Sequence, residues 1–215
     1  MQIASHSFFS GRSITMYHTA SQIVQFIDHF LQEDQWAYTF DARRNVFHFW
    51  ISLSSVIKSF HYIISVRDNS VMVYGVCPIG PDSKNAEQMR LMSEFLCRAN
   101  FGLRNGAFEL DFHDGEICYK SYIDCQDSPL SKNVLRDSIT CIYLMLKRYL
   151  PGIIAILLNQ DTPQQAIEKC ETSNDFFREL LSLLAKGSSA PDPDPDAWNP
   201  PSSGEPEEDD DWTEW

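Results

Sequence analysis

The feature that most restricts the fold is a series of closely spaced segments whose apolar side chains recur at every second residue. The segments are residues 36–40, 46–51, 60–66 and 71–76, and only short turns separate them. Parallel strands need crossover connections of about a dozen residues or more, so these segments predict an antiparallel meander. The second segment is apolar on both faces, which is typical of a central strand.

Helical periodicity appears on both sides of the meander. Thr19 and Gln22 have the spacing of a capping box, and apolar residues behind them share one helical face, which predicts a helix over about 20–33. A breaker-rich loop at 77–85 precedes a second predicted helix over about 86–99.

Three further helices are predicted towards the end of the chain. One begins near Ser128, with Pro129 in its first turn, and ends where the Pro151-Gly152 pair predicts a break. A short helix over about 153–159 follows. Another capping box at Thr162 and Gln165 then begins a helix that runs to about residue 171.

Between the second and third helices lies a segment that predicts a β-hairpin. The dipeptide Asp114-Gly115 favours a two-residue type I′ turn, which needs a positive φ at both positions. With that turn, the predicted facing pairs on the polar side are His113 with Glu116, Asp111 with Cys118, and Glu109 with Lys120. The predicted apolar side holds Phe108, Leu110, Phe112, Ile117 and Tyr119.

The acidic residues and histidine of this hairpin allow two readings. Glu109, Asp111 and His113 are residue types that bind metals or perform acid–base chemistry, so a metal-assisted or acid–base enzyme is one hypothesis. On one strand, however, they would lie roughly 6.5–7 Å apart, too far to converge on one ion without other ligands. We therefore favour the structural interpretation, in which they form the solvated face of the hairpin. A polar recognition surface is the third alternative.

Other signatures of enzyme sites are missing from the sequence. It contains no phosphate-binding loop, no dinucleotide fingerprint and no nucleophile elbow. His48 and His61 lie within apolar strands, and we interpret them as core or sheet-face histidines rather than ligands. The sequence thus predicts no catalytic residue, no cofactor site and no metal site.

The charge of the chain is concentrated at its end. Ten of the 30 acidic residues and none of the 17 basic ones lie in residues 188–215, so residues 1–187 carry 20 acids against 17 bases. No basic footprint for nucleic acid is present. The acidic stretch is low in apolar residues, apart from three tryptophans, and predicts a disordered tail. Such a tail acting as a decoy for a basic partner is another functional hypothesis, which predicts binding that fades with salt.

Cysteine spacing and hydropathy indicate a cytoplasmic protein. The six cysteines form no C-x-x-C pair and no zinc-module spacing, so we expect reduced core thiols. No apolar run of signal-peptide length follows Arg12, and the most apolar window, 149–158, is too short to span a bilayer. We expect no membrane partner.

Several of these motifs resemble the YbjN family of small bacterial proteins, described as sensory-transduction regulators. The matching residues are Asn100, Gly102, Leu103, Gly106, Phe108, Asp111, Asp114, Gly115, Tyr119, Lys120, Pro151, Gly152, Pro163 and Ala166. The resemblance implies a fold similar to type III secretion chaperones, which are often dimeric, so a homodimer is also considered. It further implies a non-catalytic role in binding other proteins or in stress and regulatory responses.

Together these observations predict an α+β fold in which an antiparallel meander and a hairpin form one sheet with helices packed on it. The predicted organisation is a loose arm at 1–17, a YbjN-like domain at 18–171, an amphipathic helix at 172–187 and the acidic tail at 188–215. The expected function is a non-enzymatic protein-interaction module with protein partners.

Overall fold

The computed structural model of the protein describes residues 19–52 and 59–172. The predicted N-terminal arm, the amphipathic helix at 172–187 and the acidic tail lie outside the described residues, apart from Thr172 itself.

The described chain contains four helices and six strands, in the order of an α+β domain. The helices are α1 (Ala20–Glu33), α2 (Ala86–Phe101), α3 (Lys132–Leu157) and α4 (Pro163–Thr172). The strands are β1 (Tyr38–Asp41), β2 (Val46–Ser52), β3 (Ser59–Arg67), β4 (Ser70–Val76), β5 (Ala107–Leu110) and β6 (Ile117–Asp124).

All six strands form one antiparallel sheet in the order β1-β2-β3-β4-β6-β5. The meander and the hairpin therefore share a sheet, as predicted, and the hairpin joins through β6 to β4. Strand β2 is an interior strand, paired with β1 on one side and β3 on the other, which agrees with the prediction of a central strand. Its second face is only half-buried at His48 and Trp50.

One face of the sheet forms the core with the helices. Tyr62, Val73 and Tyr119 are fully buried on this face and belong to the same apolar cluster as Ile27 of α1 and Ile142 of α3. The Tyr62 hydroxyl donates to the Ile139 carbonyl oxygen of α3 at 3.2 Å, so the buried phenol has a partner. The sheet and the helix layer thus share one continuous apolar interior.

The two capping boxes predicted helix starts accurately. Thr19 and Gln22 form the predicted capping box at the start of α1, and Gln165 and Thr162 do the same at α4. Helix α3 instead begins at Lys132, with Ser131 as its N-cap, so the predicted start near Ser128 was four residues early.

Helix α3 runs through Pro151-Gly152, where the sequence predicted a break. Packing explains the difference, because a β-carbon on Gly152 would lie 2.5 Å from Cζ of Phe95 in α2 and 2.9 Å from Sγ of Cys170 in α4. The glycine lets two other helices approach α3 closely. The burial gained there outweighs the proline's missing hydrogen bond, and the predicted separate helix at 153–159 is the last part of α3.

Helix α3 also has the length and apolar composition that could cross a membrane. Of its most apolar 18-residue window, 61% is buried inside the fold, as in the core helix of a domain. Among the described residues it is the one helix with this property.

The close approach at Gly152 makes a stability prediction. We expect Gly152→Ala to lower the free energy of unfolding by about 1–3 kcal/mol, because the fully buried Phe95 ring has little room to move. Gly102→Ala is the control. Gly102 ends α2 with an ordinary φ of −95° and has no neighbour within 4 Å of an added β-carbon, so its change should stay within about 0.5 kcal/mol. Urea denaturation of both variants measures this, and equal stabilities would contradict the packing argument.

Candidate functional site

The hairpin at β5–β6 differs in its turn from the sequence prediction. Leu110 pairs with Ile117 and Glu109 with Cys118, so the register is two residues from the predicted one. Gly115 has a φ of 87°, but Asp114 is not among the residues with positive φ, so the turn is not type I′. The last pair of the hairpin is Asp111 with Glu116, and the four residues 112–115 form the loop between them.

Side-chain acceptors and a neighbouring loop stabilise this longer turn. The Asp111 carboxylate accepts the His113 backbone N–H at 2.6 Å, and the Asp114 carboxylate accepts the Glu116 N–H at 2.8 Å. Such bonds are how aspartate favours turns. A β-carbon on Gly115 would lie 1.9 Å from the Pro81 carbonyl oxygen, so the breaker-rich loop packs directly against the turn.

The two-residue change of register leaves each side chain of the hairpin on its predicted face, because side chains alternate between the faces with a period of two. Phe108, Ile117 and Tyr119 are buried in the core, as predicted. Phe112 lies in the loop and is 66% exposed, so its predicted place on the apolar face was wrong. The predicted pairs His113 with Glu116 and Asp111 with Cys118 were also wrong. In the structure Glu116 pairs with Asp111, and Cys118 pairs with Glu109.

Lys120 and Glu109 form an ion pair even though they are not directly opposite. In the observed register Lys120 faces Ala107, and the pair is diagonal. Long side chains reach diagonal neighbours across antiparallel strands. The predicted charge complementarity is therefore present, with a geometry that differs from the predicted one.

The three candidate residues of the enzyme hypothesis are spread over the hairpin. Glu109 is on β5 and paired with Lys120, whereas Asp111 and His113 are in the turn, where the Asp111 carboxylate binds backbone. Within residues 19–52 and 59–172, no three His, Cys, Asp or Glu side chains are placed to hold one metal ion. The Asp111 and Asp114 carboxylates instead accept backbone hydrogen bonds that stabilise the turn.

A pair of substitutions separates a structural role of Asp111 from a chemical one. We expect Asp111→Ala to destabilise the fold by about 1 kcal/mol, because the His113 N–H loses its acceptor. Asp111→Asn should be close to neutral, since an amide oxygen still accepts. Thermal denaturation measures both, and an asparagine variant as damaged as the alanine variant would contradict the turn-stabilising role.

A cleft of about 190 Å³ lies between the turn and the breaker-rich loop, lined in part by Cys77, Ile79, Asp114 and Glu116. Burial raises the pKa of Cys77 to about 11, so its thiol is protonated at neutral pH. A protonated thiol is a poor nucleophile. All six cysteines are free, as expected, but Cys97 is exposed and Cys141 only partly buried, so the expectation of core thiols was wrong for these two.

The face of the sheet that points away from the core, here called the back face, has an unusual composition. By the strand register its middle is formed by Val46, His48, Trp50, His61, Ile63, Ser65, Met72, Tyr74, Val76, Cys118, Lys120 and Tyr122. Its ends and edges carry Thr39, Asp41, Ser52, Ser59, Arg67, Ser70, Ala107, Glu109 and Asp124. None of these residues belongs to the apolar cluster that the described helices share with the sheet. Strands with one solvated face usually carry polar residues there, whereas the middle of this face is largely apolar and aromatic within a polar rim.

Two histidines and a tryptophan meet on the back face. His48 Nδ1 lies 3.2 Å from His61 Nε2, within hydrogen-bond distance. The Trp50 ring is nearly parallel to that of His61, at 14° with centroids 4.6 Å apart. Trp50 faces His61 directly across β2 and β3, while His48 is diagonal to it. The prediction that both are core or sheet-face histidines is confirmed, and both lie on the sheet face, but no sequence motif indicated that they meet.

The environment of His61 disfavours its protonation. Burial, and secondarily the neighbouring His48, lower the pKa of His61 to about 4 from an ordinary value of 6.5. Its imidazole is therefore neutral at pH 7, with a lone pair on one ring nitrogen.

This pKa shift predicts a dependence of stability on pH. Between pH 6.5 and 4 the unfolded chain binds a proton at His61 that the folded chain does not, so stability falls as the pH is lowered and levels off below 4. The loss is about 3 kcal/mol. We expect His61→Phe to lack this loss and exposed His113→Asn to keep it, as measured by urea denaturation from pH 7 to 4. Identical pH profiles for wild type and His61→Phe would contradict the shift.

Comparison of the sequence with models of protein families and with curated proteins found no match. The structure defines the chain as an α+β domain with helices on one face of a six-stranded antiparallel sheet. The resemblance to the YbjN family stays a prediction from the motifs.

Proposed function

We propose that the protein is a non-enzymatic protein-interaction module, chaperone-like or regulatory in a stress or sensory response, and that it binds its partner through the back face of the sheet. The observation that carries this proposal is an aromatic and apolar patch in the middle of a sheet face, with a polar rim, outside the core shared with the helices. Binding surfaces are enriched in such side chains, particularly Trp, Tyr and Met.

The exposed fractions on the back face support this role. Tyr122 is 57% exposed, and Trp50, Met72 and Tyr74 are half-buried, so their rings and thioether have area to bury against another molecule. Tyr and Trp carry much of the binding free energy at protein interfaces. Ile63 and Val46 on the same face are almost fully buried, so the surface has a fixed apolar part.

The backbone beneath this surface is well suited to presenting fixed side chains. Strands β2, β3, β4 and β6 are paired without interruption from Val46 to Ser52 and from Ser70 to Val76. The opposite face of the same strands is anchored in the core. A rigid sheet loses little conformational entropy on binding, which favours affinity.

A homodimer would use the same chemistry, with a second copy as the partner. The edge strands β1 and β5 have only four residues each, so pairing of edge strands would give few hydrogen bonds. We therefore place self-association, where it occurs, on the back face as well. Light scattering at several concentrations measures it.

Truncation of two exposed aromatic rings tests the proposed surface. We expect Tyr122→Ala to weaken partner binding by about tenfold or more, and Phe112→Ala, on the hairpin loop, to leave it unchanged. The two rings have similar exposure, 57% and 66%, so both variants should keep wild-type stability. The partner is first captured by quantitative pull-down with the full chain, and its affinity for both variants is then measured.

Each result of this experiment has a clear meaning. Loss of binding in Tyr122→Ala alone supports the back face. Loss in Phe112→Ala alone, equal loss in both, or no specific partner and no self-association of the full chain would overturn the proposal.

A further inference from the structure

We propose that His48 and His61 form a binding site for a zinc ion on the back face of the sheet. The facing nitrogens, Nδ1 of His48 and Nε2 of His61, are 3.2 Å apart. Zinc binds imidazole nitrogen at about 2.0–2.1 Å in tetrahedral geometry, which puts two nitrogens on one ion about 3.3–3.4 Å apart. The two rings are thus already within a few tenths of an ångström of the spacing that the ion requires.

Right angles at similar bond lengths would bring neighbouring nitrogens of a square-planar site to about 2.9 Å. The observed 3.2 Å lies between this value and the tetrahedral one. Imidazole is among the ligands that zinc prefers, so the donor type and the geometry agree.

The position of the rings is fixed by the sheet and by a neighbouring ring. His48 is on β2 and His61 on β3, and these strands pair continuously from Val46 with Ser65 to Ser52 with Ser59. The Trp50 ring lies parallel to His61 with centroids 4.6 Å apart and restricts its rotation. Ligands that are held in place before the ion arrives bind it more tightly than mobile ones.

The protonation states needed for binding are available at neutral pH. In the metal-free pair one facing nitrogen carries the proton and the other accepts it. When zinc takes both lone pairs, the donating ring carries its proton on its other nitrogen, so no net proton is released.

Two protein ligands define the strength expected of the site. No third His, Cys, Asp or Glu completes a metal group in the part of the chain described, so water fills the remaining two positions. Half the usual number of protein ligands gives a dissociation constant on the order of 1–100 μM, far weaker than a four-ligand structural site. The ion would therefore be exchangeable.

The test is a zinc titration of the full chain, followed by calorimetry and by NMR of 15N-labelled histidine. We expect one equivalent of Zn²⁺ to bind in the stated range, and His48→Asn and His61→Asn each to weaken this binding at least tenfold. The controls are His113→Asn on the exposed turn and His29→Asn, whose ring pairs with Glu33 on α1. Both controls should bind zinc like wild type.

The NMR measurement keeps the proposal testable even where a variant fails to fold. In wild type, zinc should shift the resonances of Nδ1 of His48 and Nε2 of His61 together. Shifts confined to other histidines, binding that is unchanged in folded His61→Asn, or no binding below millimolar zinc would each overturn the site. None of these results bears on partner binding by Tyr122, so the two proposals can fail separately.

Discussion

The close contact between helix α3 and the central strands sets the spacing of the other layers. A β-carbon on Gly75 of β4 would lie 2.3 Å from Cγ2 of Ile142, so the side chain of Ile142 packs directly against the backbone of β4. On its other side, Gly152 of α3 admits Phe95 of α2 and Cys170 of α4. Two glycines thus allow three layers of backbone to approach one another, and interiors this dense tolerate little change in volume.

This central contact also accounts for the asymmetry of the sheet. Because α3 and its neighbouring helices share one continuous cluster with a single face, the opposite face is left with a separate set of side chains. Trp50, His61 and Tyr122 on that face are not part of the shared core. In our proposal these side chains serve the binding of another molecule.

The parts of the fold that were predicted correctly depend on interactions between residues that are close in sequence. Capping boxes at Thr19 and Thr162 act within one turn of helix, and the period of two in the meander reflects a single buried face. The continuous course of α3 through Pro151 was missed because the decisive contacts come from Phe95 and Cys170, which are distant in sequence.

The candidate site was predicted less well, for related reasons. The turn at Asp114 was assigned from a dipeptide, but its conformation depends on the acceptors of Asp111 and on contact with Pro81. The meeting of His48 and His61 was missed because the connection from β2 to β3 is longer than a two-residue turn. Such a connection does not fix the register from which diagonal neighbours could be read.

The order of the elements along the chain has a consequence for biosynthesis. The four meander strands are complete at Val76, whereas the helix that covers them ends at Leu157, about 80 residues later. At a synthesis rate of about 5–20 residues per second, the apolar sheet leaves the ribosome roughly 4–16 seconds before its principal cover. During that interval Val73 and Tyr62 lack the helix that buries them in the finished fold, so the order of translation leaves an apolar sheet face open to non-native contacts.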